Sequence, residues 1–269
     1  MESQNVIRID SADDPRLSRY RDLRNRDPAG NGGTFIAEGR FLVDRLVDSQ
    51  YSIASLLLEA GKEHPYATQI ASNIPIYCLS RETMAELVGF DFHRGVMACG
   101  QREPYADVQC LAALVDPPNL VLALLGVDDQ ENMGSVLRSA AALGINQILL
   151  GPRTIDPFRR RVIRVSMANV LTHRFYRLQA PIAELKMLQQ AGFRTVAATL
   201  DEATDLDQFA PDDRPIVLMF GNEARGIDPE IQAIAGDRVR IPMRMGADSL
   251  NVAVAAAIMM YELTRPSLK

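Results

Sequence analysis

The run Leu120-Val-Leu-Ala-Leu-Leu-Gly-Val127 decides how this chain folds. It is apolar throughout, with Pro117-Pro118 on one side and Asp128-Asp129 on the other. A short, unbroken apolar run bounded in this way reads as a strand buried on both faces, the environment of a parallel sheet covered by helices. Toward the C-terminus the pattern predicts helix Ser135 to Leu143, strand Gln147 to Leu150, strand Arg174 to Arg177 and helix Ile182 to Ala191. Strand Thr195 to Thr199, strand Pro215 to Phe220 and helix Leu250 to Leu263 follow. Strands alternating with helices imply a parallel sheet with helices on both sides.

Toward the N-terminus the pattern predicts helix Pro15 to Arg26, a Gly/Asn loop at Gly30 to Gly33, strand Thr34 to Ala37, helix Arg40 to Asp48 and strand Ile53 to Leu58. A weaker helix near His64 to Ser72, strand Ile74 to Cys78, helix Arg81 to Val88 and strand Gly95 to Cys99 complete it. This is a small α/β sandwich of ordinary domain size. With prolines 104, 117 and 118 around a short apolar piece, the chain divides into a domain at 1–105, a linker at 106–118 and a domain at 119–269.

Composition narrows the class. At 269 residues, 47% hydrophobic and 23% charged, the chain is ordinary globular protein, not fibrous, disordered or disulfide-framed. No apolar run approaches the roughly 20 residues of a membrane span, and the polar start MESQNVIRIDSADDPR has no signal core, so a soluble cytoplasmic protein without a membrane partner is expected. Cys78, Cys99 and Cys110 form neither a CxxC pair nor an even framework, and three scattered histidines offer no ligand spacing. Reduced thiols and no metal are expected. A net charge of −5 argues against wholesale binding to nucleic acid. Arginine is nevertheless clustered at Arg16, Arg19, Arg21, Arg24 and Arg26, and again at Arg159, Arg160, Arg161 and Arg164. Guanidinium forks suit phosphate oxygens and stack on bases, whereas interleaved acids such as Asp14, Asp22 and Asp27 allow the first cluster to be a solvated helix face.

Ligands of parallel α/β sheets sit beyond the carboxyl ends of strands, which points to the loops after Val127, Thr199, Phe220 and Ile241. After the first comes Asp128-Asp-Gln-Glu-Asn-Met-Gly-Ser-Val-Leu-Arg138. Here Asn132 and Gly134 are expected to shape the turn into a helix, with Arg138 one turn inside and leaning back toward its N-terminus. After Phe220 comes Gly221-Asn-Glu-Ala-Arg-Gly-Ile227, two glycines bracketing an acid, where a ligand can approach the main chain while Glu223 fixes hydrogen bonds. The third segment, Ile241-Pro-Met-Arg-Met-Gly-Ala-Asp-Ser-Leu-Asn-Val252, gathers backbone amides and short polar side chains at one helix N-terminus, suited to a polar small molecule. Taken singly, the first segment reads equally as a surface arginine, while the second reads first as a structural turn and the third as a helix capped by Ser249.

Taken together and in order, Asn132-Met-Gly-Ser-Val-Leu-Arg138, Phe220-Gly-Asn-Glu-Ala-Arg-Gly-Ile227 and Ile241 to Val252 resemble the three motifs of the SpoU/TrmH family of SPOUT RNA methyltransferases. Arg164-Val-Ser-Met-Ala168 is similar to a further family segment. FIAEGRFLVDRLV (35 to 47) and HRGVMA (93 to 98) resemble the substrate-binding domain often fused before it. The resemblance implies a homodimeric enzyme that methylates a ribose 2′-hydroxyl in RNA, ribosomal RNA ahead of tRNA, with S-adenosyl-L-methionine as cofactor and no metal. The C-terminal domain is then a SPOUT domain ending in a trefoil knot, and 1–105 is the RNA-binding domain.

The resemblance further implies a catalytic Arg138, accompanied by Asn132, Glu223, Ser249 and Asn251. It places the cofactor against Thr199, Leu200, Gly221, Asn222, Glu223, Ile241, Met243, Leu250 and Asn251. RNA contacts fall to Arg16, Arg19, Arg24, Arg40, Arg160 and Arg164. Ala168 and Ala224 stand where the family commonly has Gly, and Ala253 where it often has Ser. Those departures motivate the alternative of a non-catalytic RNA-binding or assembly protein that retains the fold. A nicotinamide oxidoreductase ranks below both, since no G-x-G-x-x-G follows Leu120 to Val127.

Overall fold

The computed structural model describes residues 5–25, 33–62, 64–244 and 249–265. Within it the chain forms two compact units, 1–104 with 156–171 and 105–155 with 172–269. The segment carrying Arg159 to Arg164 thus belongs to the first unit, although it lies inside the stretch read as the second domain.

In the first unit the elements are β1 (Val6–Arg8), β2 (Thr34–Glu38), α1 (Arg40–Val47), β3 (Ile53–Glu59), α2 (His64–Gln69), β4 (Ile76–Leu79), α3 (Arg81–Val88) and β5 (Val96–Gln101). Their sheet runs β1-β4-β3-β5-β2, with β5 antiparallel to both neighbours and the other pairs parallel. Alternation along β2 divides its two faces. Ile36 joins Leu17, Tyr20, Leu57, Met84, Leu87 and Met97 in one core, while Phe35 meets Tyr51 and Phe158 at ring separations of 5.7 and 5.1 Å. Buried Tyr20 donates to the Ser55 carbonyl at 2.9 Å, so its hydroxyl is not left unpaired.

The helix expected from Pro15 to Arg26 is shorter. A 3₁₀ helix, Pro15–Tyr20, is capped by Asp14, and Arg21 then turns extended. Asp22 takes φ +52° and its N–H pairs with the Leu87 carbonyl at 2.8 Å, so a tertiary bond outcompetes the helix. Arg26 and residues 30–32 lie outside the described residues.

In the second unit α4 (Val108–Ala112) occupies the stretch read as a linker. Asp107 caps it by accepting from Gln109 N, and Val108 and Leu111 are buried. Then come β6 (Leu120–Leu125), α5 (Gln130–Ala142) and β7 (Gln147–Leu150). The excursion into the first unit carries α6 (Arg160–Val165), and β8 (Arg174–Arg177), α7 (Pro181–Gln190), β9 (Arg194–Ala198) and β10 (Thr204–Asp205) follow. The last elements are β11 (Ile216–Gly221), α8 (Pro229–Ile234), β12 (Asp237–Arg240) and α9 (Val252–Thr264).

The seven strands are parallel in the order β10-β12-β9-β11-β6-β7-β8. As expected of its apolar run, β6 is buried on both faces. Val121, Ala123 and Leu125 pack with Leu111, Leu185, Leu188 and Ile231 of α4, α7 and α8, and Leu122 and Leu124 are equally buried. Helices α5 and α9 pack on each other, and α9 also packs on β11.

Candidate active site

The carboxyl ends of β9, β11 and β12 open on a cavity of about 430 Å³, lined by 198–201, 220–227, Gln232, 239–241, Met243, Ser249, Leu250, Val252, Ala255 and Met259. Each wall follows from local sequence. Thr199 is fixed by Gln232 Nε2, which donates to its Oγ1 at 2.9 Å, and by its own N–H on the Val239 carbonyl at 3.1 Å.

The loop after β11 is closed by reciprocal Asn222 and Gly226 backbone bonds of 3.0 and 2.8 Å. Asn222 Oδ1 accepts from Ala224 N and Arg225 N at 3.1 and 3.3 Å, an Asx turn that tightens it further. Glycine is required at 221, where a Cβ would lie 2.1 Å from the Gly226 carbonyl carbon. Ala224 does not take a positive φ, so its methyl is no obstacle there. Ala168 does, at +60°, and an alanine in that region costs about 1 kcal/mol.

Helix α5 starts earlier than expected. Its N-cap is Asp129, which accepts from Asn132 N at 2.9 Å, so Asn132 and buried Gly134 lie inside the helix and Arg138 nearly at its last turn. A side-chain cap at 129 supplies the start that Gly134 suggested five residues later. At α9 the cap is Asn251, not Ser249. Asn251 Oδ1 accepts from Ala253 N and Val254 N at 2.9 and 3.4 Å.

The three motif segments are joined by amides. Asn251 Nδ2 donates to Asn132 Oδ1 at 2.8 Å, and Asn132 Nδ2 donates to Glu223 Oε1 at 2.7 Å. Asn222 Nδ2 donates to the Gly126 carbonyl at 3.1 Å, and Gly126, at φ +103°, gives its own N–H to Thr154 Oγ1 at 2.9 Å. Thr154, buried, donates its hydroxyl to the Leu124 carbonyl. A continuous set of bonds therefore runs from the end of β6 through the Glu223 loop to the start of α9, fixing Glu223 with a charge-assisted partner.

Behind α5, His173 Nε2 donates to the Leu137 carbonyl at 2.9 Å. Burial holds this imidazole down to about 4, which keeps it neutral under the helix.

Of the residues expected to hold the cofactor, Thr199, Leu200, Gly221, Asn222, Glu223, Ile241, Met243 and Leu250 line the cavity, as does Ser249. Asn251 serves instead as cap and bridge to Asn132. Arg138 is exposed, forms none of the described hydrogen bonds or ion pairs, and stands outside the cavity lining. Gln232 and Arg225, which no motif reading singled out, do line it. Residues 245–248 of the third motif lie outside the described residues.

The arginines expected to meet RNA divide. Arg16 is paired with Asp14 at 2.6 Å, and Arg40 loosely with Asp44 at 3.6 Å. Arg160 pairs with buried Glu38 at 2.8 Å, also donates to the Leu23 carbonyl, and lies over the Phe90 ring. Its guanidinium is used within the first unit. Arg19 and Arg24 are exposed, and Arg164 is half-buried. Among the described residues no cluster of three His, Cys, Asp or Glu side chains could hold a metal ion, and no helix is long and apolar enough to cross a membrane.

Residues 119–261, more than half of the chain, match the model of the SpoU rRNA Methylase family. The chain belongs to that family. It is an RNA methyltransferase whose methyl donor is S-adenosylmethionine. It is 37% identical over 266 residues to an uncharacterized tRNA/rRNA methyltransferase of Mycobacterium bovis, covering 94% of this chain and 90% of that one. It is 31% identical over 203 residues to a 23S rRNA (guanosine-2′-O-)-methyltransferase of Acinetobacter baylyi, covering 72% and 80%. An AdoMet-bound rRNA methyltransferase from Sinorhizobium meliloti superposes with a TM-score of 0.86 at 26% identity, over 98% of this chain and all of that one.

The cavity fits that donor. Among its lining residues Ile227, Val252, Ala255 and Met259 suit an apolar ring face, and Thr199, Asp201, Glu223 and Ser249 suit polar and cationic groups.

Proposed function

We propose that the protein transfers a methyl group to a ribose 2′-hydroxyl in RNA, ribosomal RNA ahead of tRNA, as a cytoplasmic homodimer. The observation that carries this reading is the bond set Asn251 to Asn132 to Glu223, which ties all three motif segments to one cavity through Glu223. The 2′-O specificity in the name of the Acinetobacter relative supports the choice of acceptor. S-adenosylmethionine supplies an electrophilic sulfonium methyl, so the residues of the chain must mainly orient the hydroxyl and ease loss of its proton. Thr199, Leu200, Gly221 to Glu223, Ile241, Met243 and Leu250 hold the donor.

Arg138 grips the phosphate beside the target ribose and aims the hydroxyl, because a guanidinium is a bidentate phosphate partner and not a base at neutral pH. The proton leaves to a neighbouring group or water. The outer face of α9, with Val254, Ile258 and Tyr261 exposed, supports pairing of two copies. The order of β12 outside β9, with α9 returned against α5 and β11, supports a knotted C-terminus.

The test is incubation with methyl-labelled S-adenosylmethionine and total RNA from a strain lacking the gene, followed by digestion to nucleosides. Label on 2′-O-methylnucleosides is expected, falling about 10²- to 10³-fold in Arg138→Ala while donor binding persists. Label on a base would overturn the ribose assignment. Absence of both label and donor binding would leave a non-catalytic RNA-binding protein.

A further inference from the structure

Most large apolar side chains exposed among the described residues are already placed. Leu200 lines the cavity, Val254, Ile258 and Tyr261 share the outer face of α9, and Leu114 and Val115 lie in the turn before Pro117. Phe41 is different. It stands in the first turn of α1, 49% exposed, while the same helix buries Leu42, Val43 and Leu46. The Arg45 guanidinium lies over its ring, 5.2 Å from the centroid, and Arg45 Nη1 donates to Asn169 Oδ1 at 3.0 Å. The cation is thus held at the ring by Asn169, which opens the 3₁₀ turn Asn169–Thr172 beyond α6, in the unit that also carries Arg159, Arg161 and Arg164. Arg40, beside Phe41, has a side chain 77% exposed.

An exposed ring backed by a fixed guanidinium, with the exposed Arg40 next to it in the chain, has the chemistry of a base-stacking surface. Every base has a π face to lay on the ring, and the arginines answer its flanking phosphates. A duplex keeps those faces covered by its own stacking. We infer that Phe41, backed by Arg45, is a stacking platform for an unpaired base of the RNA substrate, so that the first unit selects a looped or single-stranded stretch. This rests on the RNA methyltransferase reading and adds to it which form of RNA is taken.

The chain contains no tryptophan, so Phe41→Trp places a single reporter on the platform. A short single-stranded oligoribonucleotide should quench its emission, and a duplex of equal length should quench it far less. Phe41→Ala should raise KM for RNA about 5- to 150-fold, the range for loss of one stacked base, with kcat and donor affinity unchanged and Phe41→Trp close to wild type. RNA that is retained on filters by Phe41→Trp without quenching, or an unchanged KM in Phe41→Ala, would overturn the platform and leave the enzyme reading intact. Self-association lost in Phe41→Ala with KM unmoved would make Phe41 a contact between copies and also overturn it. Failure of the wild type to retain any RNA would remove both readings.

Discussion

The helix that carries Arg138 and the helix that carries Arg160 put the same side chain to opposite uses. Arg160 closes on Glu38 beneath α6, its charge spent on a carboxylate only 11% exposed. Arg138 projects from α5 with none of the described partners, while the polar groups that tie α5 to the cavity loops are mostly uncharged amides. An arginine already satisfied by its own unit stabilises the fold, and one held in solvent on a rigid helix remains available to a substrate phosphate. Arginine clusters in a sequence therefore overstate the positive surface. In this chain the acids Asp13, Asp14 and Glu38 take up Arg21, Arg16 and Arg160.

That contrast can be broken most directly at Arg160. Arg160→Ala should cost about 3 kcal/mol of stability, because Glu38 is left buried without its nearer cation, and should leave kcat close to wild type in whatever protein remains folded. Urea unfolding beside turnover measures both. A loss of turnover with stability unchanged would put Arg160 in the same class as Arg138.

Beneath α5 the corresponding group is neutral His173. Its folded value of about 4 lies below the ordinary 6.5, so the unfolded chain takes up a proton that the native one refuses. The stability this contributes is complete above pH 6.5 and is lost as pH falls toward 4, the loss reaching about 2.5 kcal/mol by pH 4.5. In urea unfolding at pH 7 and pH 4.5, His173→Phe should lose correspondingly less on acidification than wild type. Equal losses in both proteins would show that His173 does not set this slope.

The smallest effect is expected at Thr154, where the bond set begins. Thr154→Val leaves Gly126 N–H unpaired and should cost about 1 kcal/mol, together with a lower kcat as Gly126 and Asn222 loosen. Thr154→Ser should restore both. Recovery of stability without recovery of kcat would confine Thr154 to the fold.

Much of the fold was legible because the relevant physics is local. The apolar run of β6 required two covered faces, and α3 and β8 lay at their expected bounds. Legibility failed where a distant partner decided the outcome. The helix from Pro15 stops where Asp22 N pairs with Leu87 O, α4 forms in a proline-flanked stretch because Val108 and Leu111 find the second core, and α6 joins the first unit across the domain boundary. At the cavity the motif residues were visible one segment at a time, but Gln232, from a helix without a motif, was not.

The sequence by itself determined the parallel sheet, the three loops at its carboxyl ends and the family to which they belong, since hydrophobic period, turn residues and motif order are written along the chain. Only the tertiary structure decided that Asn132 meets Glu223, 91 residues away, and Asn251, 119 away, and that Arg160 is paired while Arg138 is exposed. A hydrogen bond depends on placement within a few tenths of an ångström, which sequence spacing does not specify and the packing of α5 on α9 and of α9 on β11 does.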